Sequence, residues 1–159
     1  MAGGVVRVVP GRHSRRVELE GLRRVALAAL VMLVVQYGLG IVLNLYVPVP
    51  AADAHAGITQ EVANGPVTLT LHAALGLALI GAAFLLLVRA VRLEDRAMAV
   101  LAAAGLTAIG GAFGSGEIFV RNGQSGASLA MALLTGVALL CYIGALTQVS
   151  AALRRRGPS

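Results

Sequence analysis

The sequence has little charge and few aromatic side chains, and it contains no lysine and no tryptophan. Charged residues make up 13% of the chain, whereas soluble domains carry about 25%. Hydrophobic residues reach 58%, and the mean hydropathy is +0.85. A soluble fold of 159 residues has too small an interior to bury so much apolar surface. The composition therefore argues against a soluble enzyme and favours an integral membrane protein.

Cysteine is also scarce, since Cys141 is the single thiol of the chain. One thiol forms no internal disulfide and no CxxC metal or redox motif, and we interpret it as a small buried hydrophobe. The sequence also lacks the HExxH, P-loop, GxGxxG and GxSxG patterns. Their absence counts against hydrolases, nucleotide-hydrolysing proteins and nicotinamide enzymes. We therefore predict no catalytic residue and no metal site, and we favour a protein that is not an enzyme.

Four apolar runs predict an all-α fold, a polytopic membrane protein built as a four-helix transmembrane bundle. The predicted spans lie at about 25–47, 67–88, 97–113 and 128–152. A helix needs about 20 apolar residues to cross a bilayer, so the third span is short. The first span is longer than the apolar region of a cleaved signal peptide, which has about 7–15 residues. We interpret the first span as a membrane anchor.

The segments between the apolar runs predict the organisation of the rest of the chain. A basic tail with an interfacial helical lead-in over 1–24 precedes the transmembrane domain of 25–152. A short basic tail over 153–159 follows that domain. We expect polar loops at 48–66 and 114–127, where proline, glycine and polar residues gather.

Arginine accounts for all thirteen basic residues, and its distribution predicts the orientation. With a cytoplasmic N-terminus, twelve arginines lie in the inner segments and Arg121 lies outside. This imbalance obeys the positive-inside rule, so we expect both termini in the cytoplasm. The flanking arginines explain the net charge of +6 without nucleic-acid binding. Arginine without lysine also suggests a GC-rich bacterial genome and hence a bacterial cytoplasmic membrane.

Small residues are frequent in the predicted spans and indicate close helix contacts. Gly110 and Gly114 form a GxxxG pattern, and Ala132 and Gly136 form a similar pair. Because lipid supplies no hydrophobic force between helices, close backbone approach through small residues does much of the packing. We expect the third span to pack through its Gly110–Gly114 face, and a substitution at Leu101 to matter little if Leu101 faces lipid. The spacing leaves open whether such contacts lie within one chain or between protomers.

His72 is the one ionisable residue well inside a predicted span, about 8 Å from its outer end at 1.5 Å per residue. An ionisable residue at membrane depth indicates a functional site by default. Three interpretations remain open. His72 is a neutral imidazole bonded to another helix or to water, a metal or haem ligand, or a group that binds quinone or transfers protons.

Further polar residues are expected near His72 at the outer end of the bundle. Gln36, Gly40 and Asn44 follow an i, i+4, i+8 spacing and share one helix face. We expect Gln36 and Asn44 to form hydrogen bonds between helices. Glu117 is expected either to pair with Arg121 or to approach His72.

Met131 lies at a depth similar to that of His72 in the fourth span. If the four helices follow one another around the bundle, the second and fourth spans are diagonal, so both side chains face the axis. Such a pair is able to ligate haem iron from opposite sides. In the alternative, His72 bonds to Asn44 or Glu117, and Met131 fills the core.

Three stretches carry a resemblance to a known class of proteins: QYGLGIVLNLYV at 36–47, NGPVTLTLHAALG at 64–76, and residues 110–142. With these stretches, the chain resembles small four-span membrane proteins of GC-rich actinobacteria, a group without an assigned activity. It is also similar to four-helix membrane proteins that bind b-type haem, such as cytochromes of the b561 type or half of haem A synthase. Those proteins hold haem between histidines on facing helices, whereas this chain has one intramembrane histidine.

Two functions from different classes follow from these observations. The first is a non-catalytic accessory or assembly subunit that packs through small-residue helix faces against other membrane subunits or a second copy. The second is a redox module that binds a b-type haem or a quinone near the outer face through His72. A transporter is a third option and would need oligomerisation. The lipid bilayer is the expected partner in each case.

Overall fold

The computed structural model describes residues 12–46, 66–122 and 125–155, and it places nearly all of them in four long helices. These are α1 (Arg12–Tyr46), α2 (Val67–Arg92), α3 (Arg96–Asn122) and α4 (Ser125–Arg155). The prediction of an all-α protein with four helices is therefore confirmed. The predicted loop at 48–66, except Pro66, lies outside the described residues.

All four helices are long and apolar enough to cross a membrane, as their length and composition show. Their most apolar stretches have mean hydropathies between 1.7 and 2.4. Large apolar side chains also cover the outside of the bundle, including Val100, Leu133 and Leu140, which are 67%, 63% and 71% exposed. Such an extended apolar exterior is typical of a surface that contacts lipid. Four such helices fit a multi-pass membrane protein by length and composition.

Each helix packs against the next one in the chain, and α4 packs back against α1. The contacts run antiparallel: near one end Gly21 of α1 approaches Arg89 of α2, and further along Gly40 approaches His72. Hence α1 and α3 are diagonal, as are α2 and α4, which agrees with the helix order assumed from the sequence. We call the two ends of the bundle the His72 end and the arginine end, the latter containing Arg89 and Arg155.

The helices extend further than the predicted spans, most clearly in α3. The prediction of a polar loop over 114–127 is wrong for residues 114–122, which continue α3, and for residues 125–127, which begin α4. Polar groups in this stretch are satisfied within the helix itself. Ser115 Oγ donates to the Gly111 carbonyl oxygen at 2.9 Å, and Arg121 Nη2 lies 3.2 Å from Glu117 Oε1 one turn away. The residues from 12 to 24 are helical, since α1 begins at Arg12, and the interfacial position of this lead-in stays a prediction.

The core is formed by alternating small and large side chains. Alanines with almost no exposure allow the helices to approach, and leucines and one tyrosine fill the remaining space. The largest fully buried side chains are Tyr142, Leu22, Leu33, Leu86 and Val149. Because lipid is as apolar as these side chains, their packing stabilises the bundle mainly through close contact.

The Gly110–Gly114 face of α3 is not a contact within this bundle, which corrects the expectation from sequence. Gly110 is exposed, and a Cβ added at either glycine would meet no atom within 4 Å. Leu101, considered as a lipid-facing position, instead lies 3.4 Å from the position of a Cβ at Gly144 of α4. The GxxxG spacing identifies two glycines on one helix face but does not determine whether that face meets a neighbour.

A different glycine sets the close approach of α3 and α4. A Cβ at Gly105 would lie 2.8 Å from Cζ of Tyr142, closer than real contacts allow. The tyrosine ring therefore occupies the space that Gly105 leaves open. This contact turns α3 so that Gly105 faces inward and Gly110 faces outward.

The connection between α2 and α3 is tight, as expected from its charged sequence. Glu94 adopts a left-handed backbone conformation with φ of 56°. The carboxylate of Asp95 then begins α3, because its Oδ1 accepts a hydrogen bond from the Met98 backbone N–H at 3.1 Å.

Candidate functional site

A cavity of about 240 Å³ lies between all four helices at the His72 end of the bundle. Each helix contributes to the wall, and most lining residues are apolar, among them Leu33, Leu79, Ile109 and Phe113. Gly40, Gly76 and Gly116 line it as well. Because these residues carry no side chain, side chains of neighbouring helices approach them closely.

His72 and Gln36 form a reciprocal arrangement between α1 and α2, in which each side chain rests against a glycine of the other helix. Cε1 of His72 lies 3.4 Å from the Cβ position of Gly40, and Nε2 of Gln36 lies 3.1 Å from the Cβ position of Gly76. The four residues are spaced by one turn on each helix, so the two helices interlock. We call this set the α1–α2 clasp.

The clasp contains one hydrogen bond and leaves two polar atoms without a partner. Gln36 Nε2 donates to the backbone carbonyl oxygen of His72 at 3.0 Å. Oε1 of Gln36 and Nδ1 of His72 are buried and have no hydrogen-bond partner among the described residues. An unpartnered buried polar group costs about 1–3 kcal/mol. Both atoms are enclosed by the protein, so they add to the polar character of the clasp without being part of the accessible cavity wall.

Polar side chains lie at the rim of the cavity at the His72 end. Ser128 Oγ donates to Asn44 Oδ1 at 3.2 Å, which joins α4 to α1. Glu117 forms an ion pair with Arg121, which is one of the two arrangements expected from the sequence. The alternative in which His72 bonds to Asn44 or Glu117 is wrong, because both have other partners and Nδ1 of His72 has none in the described part of the chain.

Met131 lines the same cavity from α4, the helix diagonal to α2. Its Sδ lies 3.3 Å from the Cβ position of Gly116, so the thioether rests against α3. Thr135 Oγ1 donates to the Met131 carbonyl oxygen at 2.8 Å and thus makes a hydrogen bond within its own helix. His72 and Met131 therefore share one cavity, as the helix order predicted.

The structure brings together most of the residues singled out from the sequence. Gln36, Gly40, Asn44, His72, Glu117 and Met131 all line the cavity. Sequence reasoning missed Ser128, which bonds Asn44, and Gly76 and Gly116, which make room for side chains of neighbouring helices. Ser128 could have been found from sequence, because it is a polar residue at the end of a predicted span. The side chain that packs against each glycine depends on how the helices are rotated, which the sequence does not show.

The arrangement suits an apolar ligand with a small hydrogen-bonding head. Within the described residues, no group of three or more His, Cys, Asp or Glu side chains is placed to hold a metal ion. No protein-family model, curated protein or solved structure matches the chain. The kind of ligand that the cavity binds is therefore inferred from its lining residues alone.

Proposed function

We propose that this chain is a protein of the bacterial cytoplasmic membrane that binds a quinone in the outer half of the bilayer. One observation carries the proposal: an apolar cavity between four helices is lined by the imidazole-bearing His72 and the amide-bearing Gln36. A quinone has an apolar ring and tail and two oxygens for hydrogen bonds. When bound, it supplies the capacity to accept two electrons and two protons and become a quinol.

The proposed orientation has both termini in the cytoplasm and the His72 end outside. Arg89, Arg92, Arg96, Arg154 and Arg155 lie at the arginine end. The positive-inside rule assigns that end to the cytoplasm. His72 then lies near the outer surface, where a bound quinone exchanges protons with the outside.

Haem b fits this site poorly. Its two propionates need cationic partners, and Arg121 is the one arginine in the segments at the His72 end. That arginine is already paired with Glu117, whose carboxylate would repel propionates. Met131 turns its sulfur against Gly116, on the neighbouring helix. The site therefore favours a quinone over the haem that the helix order also allowed.

Extraction of the purified protein tests the proposal. We expect organic extracts of the detergent-solubilised protein to contain quinone of the host membrane in near-stoichiometric amount. His72→Leu should retain clearly less quinone, because a lost hydrogen bond of about 1.4 kcal/mol is a tenfold loss of affinity. Leu77→Phe is the matched control, since Leu77 is on the same helix and 65% exposed.

A visible absorption spectrum of the same preparation distinguishes bound haem from bound quinone. We expect no Soret absorption. A Soret band that disappears in His72→Leu would establish haem in place of quinone, and a preparation free of both groups would overturn the proposal.

The accessory-subunit hypothesis stays a prediction. The open space beside Gly110 and Gly114 is what a neighbouring helix would need on the outside of α3. Native mass spectrometry of the protein purified from its own membrane checks it. Partner subunits or a second copy should be present in the wild type and absent in Gly110→Ile.

A further inference from the structure

We propose that an open crevice between α3 and α4, at the arginine end of the bundle, binds the head group of an anionic phospholipid. The crevice is formed where α3 begins and where α4 ends, and it is lined by Asp95, Met98, Gln148, Ala151, Ala152 and Arg155. The proposal uses the membrane location of the chain but not the ligand of the cavity at the His72 end. It therefore goes beyond the proposed function.

The crevice combines apolar and polar groups. Met98 is 2% exposed, and the two alanines beside it on α4 have side chains too small to fill the crevice. Arg155 contributes an exposed guanidinium, and Gln148 contributes a half-buried amide. A phospholipid has the same combination, since its charged phosphate and polar head group are joined to an apolar tail.

The arginines beside the crevice have no acidic partner. Within the described residues, the guanidinium groups of Arg92, Arg96, Arg154 and Arg155 form no ion pair. Arg155 does not pair even with Asp95 of the same crevice, whose Oδ1 accepts a hydrogen bond from the Met98 backbone N–H. A guanidinium in this state is able to bind a phosphate through two parallel hydrogen bonds.

The charge around the crevice favours an anionic head group over a zwitterionic one. Residues 92–96 and 154–155 contain four arginines and two carboxylates, so this region is positive. Arg89 is left out of that count, because its Nη1 lies 2.9 Å from the Cβ position of Gly21 and rests against α1. A choline head group would bring a cation into a positive region. A glycerol head group brings the phosphate charge and hydroxyls that an amide or a carboxylate can bond.

Apolar surface continues from the crevice along the same two helices. Val100 lies five residues beyond Asp95 on α3, and Ile143 lies five residues before Gln148 on α4, which is about 7.5 Å along each helix. Both side chains are exposed, Val100 to 67% and Ile143 to 46%. The acyl chains of a lipid whose head group lies in the crevice therefore meet apolar side chains. This surface favours a lipid over a soluble phosphate.

Binding of short-chain lipids to the full-length, detergent-solubilised protein tests the proposal. The probes are dioctanoyl phosphatidylglycerol and dioctanoyl phosphatidylcholine, and a rise in melting temperature reports binding. We expect phosphatidylglycerol to reach half-maximal stabilisation at about one fifth of the micellar mole fraction that phosphatidylcholine needs, since one arginine near an anionic head group contributes about that factor. Equal response to the two lipids would overturn the proposal.

A soluble probe distinguishes a lipid from a free phosphate. Glycerol 3-phosphate has the charge of the head group and no acyl chain, so it should not stabilise the protein at the same total concentration. Stabilisation equal to that by phosphatidylglycerol would show a site for a soluble phosphate, and the assignment to a lipid would be wrong.

A matched pair of variants separates the crevice from the total charge. Arg155→Gln should remove most of the fivefold preference for phosphatidylglycerol. Arg24→Gln makes the same change of charge at an exposed position of α1 that does not line the crevice, and it should keep the preference. Equal losses in the two variants would mean that overall positive charge attracts the lipid and that the crevice is not its site.

A change of shape without a change of charge is the second check. Ala151→Leu fills part of the crevice and should weaken binding of phosphatidylglycerol, whereas Ala28→Leu adds the same atoms at an exposed position of α1 and should not. Unchanged binding in Ala151→Leu would contradict a head group in the crevice. These outcomes leave the quinone proposal as it is, because extraction of the purified protein tests that proposal separately.

Discussion

Tyr142 is the largest side chain that is completely buried, and its hydroxyl has no hydrogen-bond partner among the described residues. We expect Tyr142→Phe to raise the free energy of unfolding by about 1 kcal/mol, because the change removes an unpartnered polar group and keeps the ring. Thermal melting in detergent measures this. Tyr46→Phe is the control, since Tyr46 is 76% exposed and should respond little. A loss of stability in Tyr142→Phe would mean that a buried water serves the hydroxyl.

Glu94 is the one non-glycine residue with positive φ in the part of the chain that the structure describes. A left-handed backbone costs a residue with a Cβ about 1–2 kcal/mol, and glycine avoids this cost but loses more entropy on folding. We therefore expect Glu94→Gly to stabilise the bundle by about 0.5–1 kcal/mol. Glu94→Ala keeps the strain and should give no gain. Equal melting temperatures of the two variants would contradict the assignment of strain.

At the level of the helices, α3 offers two glycines with opposite surroundings. Gly105→Val places carbon atoms on the Tyr142 ring and should destabilise the protein by about 1–3 kcal/mol, as overpacking does. Gly110→Val adds the same group where no atom lies within 4 Å, so the folded yield should be unchanged. Gel filtration and thermal melting compare the two. Equal sensitivity at both positions would show that Gly110 has a neighbour outside this chain.

A second substitution checks that the Gly105 effect acts through the tyrosine ring. Tyr142→Leu removes the ring atoms that a side chain at position 105 would meet. The double variant Gly105→Val with Tyr142→Leu should be less destabilised than the sum of the single changes, since the two residues are in direct contact. Strict additivity would place the cost of Gly105→Val elsewhere on α3.

The sequence predicted the helices where their residues are apolar. It did not predict the helical segments that are rich in polar residues. The apolar runs in α1 and α2 contain one ionisable residue, His72, and a helix satisfies its own backbone hydrogen bonds in lipid. The last nine residues of α3 contain Gly114, Ser115 and Gly116, which are typical of loops. They are helical because Ser115 and the Glu117–Arg121 pair bond within the helix, which composition alone does not show.

The candidate site was predictable as a set of residues but not as a set of contacts. The i, i+4, i+8 spacing placed Gln36 and Asn44 on one face, and depth placed His72 beside them. Which side chain bonds to which depends on helix rotations of a few tens of degrees. Those rotations are set by distant contacts such as that of Tyr142 with Gly105, so sequence spacing could not assign Ser128 to Asn44.

For the whole molecule, the arginine distribution makes a prediction about topology that labelling in intact cells checks. On a Cys141→Ser background, Glu61→Cys should react with an impermeant thiol reagent, and Glu94→Cys should react only after lysis. The physical reason is that translocating the segments with twelve arginines opposes the positive-inside rule. Labelling of Glu94→Cys in intact cells, with Glu61→Cys protected, would reverse the proposed orientation.

The α1–α2 clasp has a consequence for genetics. Gly40 and Gly76 have no functional group, yet they hold the space in which the imidazole of His72 and the amide of Gln36 lie. In a deep mutational scan selected on ligand binding, Gly76→Ala should therefore score well below wild type, because its methyl group would lie 3.1 Å from Nε2 of Gln36. Gly40→Ala should lose less, because its methyl group would lie 3.4 Å from Cε1 of His72. Gly38→Ala and Gly81→Ala, whose added methyl groups meet no atom within 4 Å, should score as wild type. From mutational data alone, the two glycines would be mistaken for residues that contact the ligand. Their contribution to the site is the space that they leave for neighbouring side chains.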